Sequence, residues 1–375
     1  MAEETGQTRL LSLDVFRGIT IAGMVLVNNP GTWGAIYSPL EHAEWHGVTP
    51  TDYIFPFFLF IVGVAIPLAL GKRVAEGITR DVYLKIFRRT AIIFLLGLFL
   101  AAFPLFDFAN LRIPGVLQRI AVCYLAASLI FLHTNWKQQT IIGAALLFVY
   151  WYLMSAVPVP GCEITTINDK ACNLAAYIDR GVFGENHVWK EAKVFDPEGI
   201  LSTIPAIVTA LSGVLTGTWL KTRKSDFEKV GGLFFFGSVL IALGWCWNFF
   251  FPFNKSLWTS SYVVYTSGLA LCFLAFCYWL IDIKDYKKWS KPFVIFGVNA
   301  LALFVFSGLL GRIMGVIKFA GAEGKPISLQ KWIFESVFLP FAAPVNASLA
   351  YAVCYILFWL FLMWLLYRKR IFIKV

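Results

Sequence analysis

Two of the four histidines in this 375-residue chain fall in one short stretch, Glu41-His42-Ala43-Glu44-Trp45-His46-Gly47-Val48-Thr49-Pro50-Thr51-Asp52, just before a long apolar run. A histidine beside a carboxylate that fixes its tautomer is the usual equipment for moving protons near neutral pH. Plainer readings stand next to that one. Asp52 is well placed to N-cap the helix that follows, and His46 to sit in a solvated loop. The spacing matches no zinc pattern and brings no cysteine ligand, so no metal is expected.

Other polar residues sit in or beside apolar runs, where they are costly and carry signal. Asn28 closes the first run and serves either to hold a substrate carbonyl or to cap a helix. Asp14 and Arg17 are three apart on one helical face, the spacing of a structural ion pair. In Asn110-Leu111-Arg112-Ile113-Pro114-Gly115-Val116-Leu117-Gln118-Arg119, Arg112 marks a boundary, while Arg119 lies roughly 10 Å deeper by helix rise. An arginine at that depth calls for Asp14, a carboxylate from another helix, or an anionic ligand such as phosphate. Asp196 and Glu198 precede another apolar run, where they either cap its N-terminus or bind an ammonium group or sugar hydroxyls. Asn254, Lys255 and Trp258 open a further run in the same way, and Asn299 lies inside the next.

The elements that must position these residues are membrane helices. The chain is 59% hydrophobic and only 14% charged, with 36 Phe and 14 Trp, and its mean hydropathy is +0.71. A soluble domain would carry about a quarter charged residues. Apolar runs near the ~20 residues needed to cross a bilayer lie at 12–29, 52–71, 84–104, 113–133, 139–156, 200–220, 230–251, 259–281, 291–311 and 345–367. The expected fold is therefore all-α, a polytopic helical bundle of about ten spans forming a single transmembrane domain over 1–375. Met1 to Arg9 is polar and runs into a span containing Arg17, so no removable leader is expected.

Most of the 32 Lys and Arg fall in short connections on one face. That set comprises Arg9, the 72–89 stretch, Lys137, 221–229, 284–291 and 368–374. By the positive-inside rule that face is cytoplasmic, with both termini on it. The longer connections 30–51, 157–199 and 312–344 then face out. The net charge of +10 thus reads as topology and lipid anchoring, not as a nucleic-acid surface. Cys162 and Cys172, ten positions apart in the 157–199 loop, are expected to pair in an oxidising compartment. The remaining five cysteines fall within spans as small apolar residues.

The motifs taken together resemble a family. Leu13-Asp14-x-Phe16-Arg17-Gly18, then Val27-Asn28, then His42-Ala43-x-Trp45-x-Gly47-x-Thr49-x-x-Asp52-x-x-Phe55-Pro56, are similar to motifs of the heparan-alpha-glucosaminide N-acetyltransferases. The likeness continues through Arg112-Ile113-Pro114-Gly115-Val116-Leu117-Gln118-Arg119, Asp196-Pro197-Glu198-Gly199, Asn254-Lys255-x-Leu257-Trp258 and Asn299, then fades. The connection from Asn28 to His42 is longer here, with a Pro30-Gly31-Thr32-Trp33 stretch of its own.

The resemblance implies an enzyme that takes acetyl from cytoplasmic acetyl-CoA and delivers it to the amine of glucosamine or a related amino sugar on the exported side. His42 matches the family's active-site histidine, with Asn28 and Asp52 near it as further catalytic groups. Arg17, Arg112, Arg119, Asp196, Glu198, Asn254, Lys255, Trp258 and Asn299 fall in the remaining motifs as substrate or cofactor contacts. A homodimer in a bacterial inner (plasma) membrane is the assembly and place it suggests. O-acetylation of a surface polysaccharide shares the donor but needs a hydroxyl acceptor. A transporter using Arg119 and Asp14 as its path would need no histidine at position 42.

Overall fold

The structure, a computed structural model, describes residues 10–320 and 325–373. Arg9 and Lys374 of the basic set lie outside the described residues. Among the described residues, eight helices are long and apolar enough to cross a membrane. They are α1 (Leu11–Asn28), α2 (Ile54–Glu76, entered through a 3-10 turn at Pro50–Tyr53), α4 (Val116–His133), α5 (Trp136–Ala156), α7 (Ile200–Leu220), α8 (Asp226–Asn248), α9 (Ser260–Cys277, continued by a π turn to Ile283) and α13 (Pro344–Arg368).

The other two expected spans are also helical, but neither is a plain crossing. Helix α3 (Arg80–Ala102) has 23 residues, yet Lys85, Arg88 and Arg89 fall in every 18-residue stretch of it. The expected 291–311 span is broken at Asn299, where α10 (Lys291–Val298) meets α11 (Ala300–Val316) at 71°. Counted as one, that pair brings the total to nine. Two shorter helices, α6 (Leu174–Phe183) and α12 (Leu329–Ile333), lie in the long connections, with one hairpin of β1 (Lys318–Ala320) and β2 (Pro326–Ser328).

Local sequence explains several boundaries. Pro114 disfavours helix at Ile113, so α4 starts at Val116 and not at 113. Asn135 with Gln138, and Ser225 with Glu228, form reciprocal capping boxes that start α5 and α8. In lipid, backbones gain by close approach through small residues, and α2 against α7 shows it. A Cβ on Gly63 would stand 1.9 Å from the Ala210 carbonyl oxygen, and one on Gly213 2.1 Å from that of Phe60. Helix α7 is the central element, with 67% of its apolar stretch buried, whereas 28% of α5, 22% of α8 and 28% of α13 are.

The connections sort to the two ends of the bundle. At one end the 30–53, 103–115, 157–199 and 249–259 segments meet. Gly47 N–H donates to the Phe253 carbonyl (2.8 Å), Trp45 Nε1 to that of Ile167 (2.9 Å) and Ile113 N–H to that of His187 (3.0 Å). At the other end Lys221 Nζ reaches the Pro67 carbonyl (3.3 Å), and Asp282 accepts from Ser12 N–H (3.1 Å). Cys162 and Cys172 are joined in the 157–199 loop, with Cα atoms 5.8 Å apart.

Candidate active site

A cavity of about 810 Å³ opens among the ends of α1, α2, α3, α4 and α11. Asn28, His42, Arg112, Glu198 and Lys255 all line it. Five stretches scattered over more than 200 residues of sequence thus put their polar side chains on one space.

Thr49 is the N-cap of the turn before α2 and Asp52 its N3 partner in a capping box, so Asp52 shares in the capping without being the N-cap expected. The same carboxylate also serves His42, because its two oxygens divide the work. Oδ2 accepts from the backbone N–H of Ala43 (3.1 Å) and Thr49 (3.0 Å), while Oδ1 lies 2.7 Å from His42 Nδ1. An ionised carboxylate only accepts, so His42 carries its proton on Nδ1 and turns Nε2 outward as a lone pair. The Asp52 side chain is buried and that of His42 about half exposed. The imidazole is held from behind and open in front.

Lys255 stands beside this pair, its Nζ 2.9 Å from His42 Nδ1, 3.2 Å from His42 Nε2 and 3.5 Å from Asp52 Oδ1. It comes from a tight turn before α9 in which Thr259 N–H donates to the Asn254 carbonyl (3.1 Å) and Asn254 N–H to Thr259 Oγ1 (3.1 Å). Trp258 in that turn has φ +53°, a left-handed conformation that a bulky residue keeps only when its surroundings impose it. Burial lowers the pKa of the Lys255 ammonium, opposed by the charges of Asp52 and Glu198.

Arg112 forms the next layer. Its Nε and Nη2 donate to Asp196 Oδ2 (2.8 Å) and Oδ1 (2.6 Å), and Nη2 also bonds Glu198. Burial would raise the Glu198 pKa, but Arg112, Arg119 and Lys255 together hold it below the ordinary value. Glu198 is therefore an anion on the cavity wall.

Arg119, fully buried, gives hydrogen bonds to the Gly199 carbonyl (3.2 Å) and the Ser202 hydroxyl, and its guanidinium lies 5.1 Å from the Trp258 ring centroid. Neither a direct carboxylate partner nor a place on the cavity wall is among its described contacts. Asn29 takes the capping role at the end of α1, its Nδ2 donating to the Val25 carbonyl (2.9 Å), which leaves Asn28 to the cavity. Arg17 bonds Asp14 (3.2 Å) and the Gly297 carbonyl (3.4 Å) near the opposite end of α1. Asn299 fastens the C-terminal segment at the α10–α11 break, donating to the Ile371 carbonyl (3.1 Å) and accepting from Ile373 N–H (2.9 Å). Asn254 turns its side chain to its own turn and to His46. Among the described residues, no three His, Cys, Asp or Glu gather as a metal site.

The N-terminus of α7 is capped by a residue the sequence did not single out. Asp179 of α6 accepts from Ile200 N–H at 2.9 Å, which frees Asp196 and Glu198 for Arg112. Burial pushes its carboxyl up to about 6, with the Asp196 charge adding to the rise and the Ile200 bond opposing it. A carboxyl raised in the folded state favours folding below its unfolded value near 4, and that contribution disappears as pH rises through about 6. Asp179→Asn keeps the acceptor and removes the charge. Its thermal midpoint should therefore match the wild type near pH 4 and exceed it at pH 7.5, and a midpoint lowered equally at both values would refute this reading. Trp33, Trp189, Arg312 and Gln330 also line the cavity. They come from four separate segments of the chain, so no spacing groups them.

Fold and site together define a polytopic integral membrane protein with a histidine-carboxylate-lysine centre at one end of its bundle. A model of the catalytic region of heparan-alpha-glucosaminide N-acetyltransferase matches residues 9–245, well over half of the chain, and the chain belongs to that family of transmembrane acetyltransferases. It is 28% identical to the heparan-alpha-glucosaminide N-acetyltransferase of Homo sapiens, over 98% of this chain and 60% of the human protein. To that of Mus musculus it is 29% identical, over 79% of this chain and 53% of the mouse protein. The chain spans little more than half the length of these curated relatives. His42, Asn28, Asp52, Arg112 and Glu198 fall in the matched region, whereas Lys255 lies beyond it.

Proposed function

We propose that this protein transfers the acetyl group of cytoplasmic acetyl-CoA to the amine of glucosamine or a related amino sugar at the exported face, in a bacterial inner (plasma) membrane and as a homodimer. The observation that carries this reading is the shared cavity of His42, Glu198, Lys255 and Asn28. An amine needs a base, an anion to receive its ammonium form, and donors for the oxyanion formed on attack. Glu198 receives the ammonium and Nε2 of His42 takes its proton. The free amine then attacks the thioester carbon, and Asn28 Nδ2 with Lys255 Nζ supports the tetrahedral oxyanion. Collapse breaks the C–S bond, the departing thiolate takes the proton left on the attacking nitrogen, and His42 gives its own to water. A buried carboxylate on the wall favours an ammonium acceptor over the hydroxyl that O-acetylation would use.

Purified protein given labelled acetyl-CoA and a panel of amino sugars should form labelled N-acetyl product, and none with any of them would overturn the reading. The orientation is tested by cysteine labelling in intact cells. Residues placed at the His42 and Cys162 loops should react with an impermeant reagent and Lys221→Cys should not; labelling of Lys221→Cys from outside would reverse the topology. Non-reducing mass mapping should recover the Cys162–Cys172 peptide pair.

A further inference from the structure

His46 has no part in the transfer set out above, yet both its ring nitrogens are engaged. Nε2 lies 2.9 Å from Oδ1 of Asn168, inside the loop closed by Cys162 and Cys172, and Nδ1 lies 3.4 Å from Nδ2 of Asn254. The direction of each bond follows from the side-chain amide of Asn254. Leu257 N–H donates to Asn254 Oδ1 at 2.8 Å, so the amide nitrogen of that fully buried side chain faces His46. An amide nitrogen only donates. Nδ1 of His46 must therefore accept, and its proton sits on Nε2, where Asn168 Oδ1 takes it. The ring is neutral and fixed in one tautomer, and burial pulls its pKa down, against the Asn168 bond, in keeping with that state.

The neighbours of His46 are fixed to the same two segments. Trp45 Nε1 donates to the Ile167 carbonyl at 2.9 Å, and Lys170 Nζ stands 5.7 Å from the Trp45 ring centroid. On the other side Gly47, at φ +98°, donates its N–H to the Phe253 carbonyl at 2.8 Å. The residue after Asn254 is Lys255, which reaches His42 and Asp52.

We propose that His46 is a positioning residue, tying the disulfide-closed 162–172 loop to the Asn254–Thr259 turn and so holding Lys255 against His42 and Asp52. It rests on the acetyl-transfer reading for its kinetic readout alone. His46→Ala should lower kcat about tenfold, the loss expected for two neutral hydrogen bonds, with the KM for acetyl-CoA unchanged. His46→Gln, which has both a donor and an acceptor, should restore most of it. Asn168→Ala should lower kcat to a similar degree, and the double variant should fall no further than His46→Ala, because both remove one connection.

A second readout needs no transfer. The rate at which an amine-reactive ester modifies Lys255, followed by mass spectrometry, should change several-fold in His46→Ala and Asn168→Ala and return in His46→Gln. Should the wild type acetylate no acceptor, the functional reading fails and this rate alone decides the role of His46. Should His46→Ala not accumulate, Asn168→Ala on the exposed loop carries the test. An unchanged Lys255 rate in the variants, or kcat losses that add, would overturn the proposal.

Discussion

His42→Ala should reduce acetyl transfer by about 10²- to 10⁴-fold, the range for loss of a positioned general base, while acetyl-CoA still binds. Asp52 and Lys255 both meet this ring. Asp52 uses Oδ1 to hold Nδ1, and Lys255 Nζ lies 2.9 Å from Nδ1 and 3.2 Å from Nε2. Binding should survive because the nucleotide end of CoA enters from the opposite face in the proposed topology, far from the loop that carries His42. Two chemistries both need this ring, and the wild type mixed with acetyl-CoA alone separates them. In direct transfer, His42 takes the proton of the ammonium and CoA leaves only when an acceptor is present. In the other scheme, Nε2 attacks the thioester and holds the acetyl group after CoA has left. The half-exposed ring favours direct transfer, since an acetyl-imidazole open to water would hydrolyse between acceptors. Wild-type protein mixed with acetyl-CoA alone should therefore release no burst of CoA. A stoichiometric burst with acetyl found on His42 would establish the carrier scheme, and His42→Ala with most of its activity intact would remove the histidine from catalysis.

How much of this could be read beforehand follows from what kind of signal each feature leaves. Membrane helices leave the strongest, because a bilayer demands ~20 apolar residues in a row. Each of the ten runs is helical, and the differences lie where tertiary structure overrides length. At the break, the Asn299 side chain bonds the C-terminal segment 72 residues away, a contact that no local spacing announces. The pairing of His42 with Asp52 spans ten residues and was legible as a histidine beside a carboxylate. Lys255 joins them from 213 residues further on, so sequence could mark it as a polar residue at a helix start but not as a neighbour of His42. Asp196 and Glu198 were open between capping and binding, and Asp179 settles the capping from a short loop helix that hydropathy does not reveal. Arg119 was expected to need an anion. Its Nη2 meets a carbonyl and a hydroxyl and its face an aromatic ring, partners with no charge to search for, while Nε and Nη1 are buried with no partner among the described residues.

Arg112→Ala should be the most damaging substitution for stability at this end of the bundle, by about 3–5 kcal/mol, the loss typical when one partner of a buried ion pair is removed. The reason is what stays behind. The Asp196 side chain is fully buried and that of Glu198 nearly so, and both would keep a charge without the cation that Arg112 supplies in three hydrogen bonds. Arg112→Lys should fall between, since an ammonium keeps the charge but cannot match the fork on Asp196. Burial raises the Asp196 pKa even beside Arg112, whereas Arg112, Arg119 and Lys255 hold that of Glu198 below its ordinary value against burial, so the part of the sign with pH that Arg112 supplies follows from Glu198. A depressed carboxyl contributes stability above its unfolded value near 4.5, and this is lost as pH falls through the folded value. The gap between wild type and Arg112→Ala should therefore be widest near pH 7 and narrow below pH 5, as the stranded carboxylates protonate. A triple variant, Arg112→Met with Asp196→Asn and Glu198→Gln, removes all three charges and should regain much of the thermal midpoint of detergent-purified protein. It should regain no acetyl transfer, because Glu198 would no longer hold an ammonium. An Arg112→Ala protein that unfolds at the wild-type temperature at pH 7 would show that water reaches both carboxylates, and the buried cluster would lose its role in holding the site.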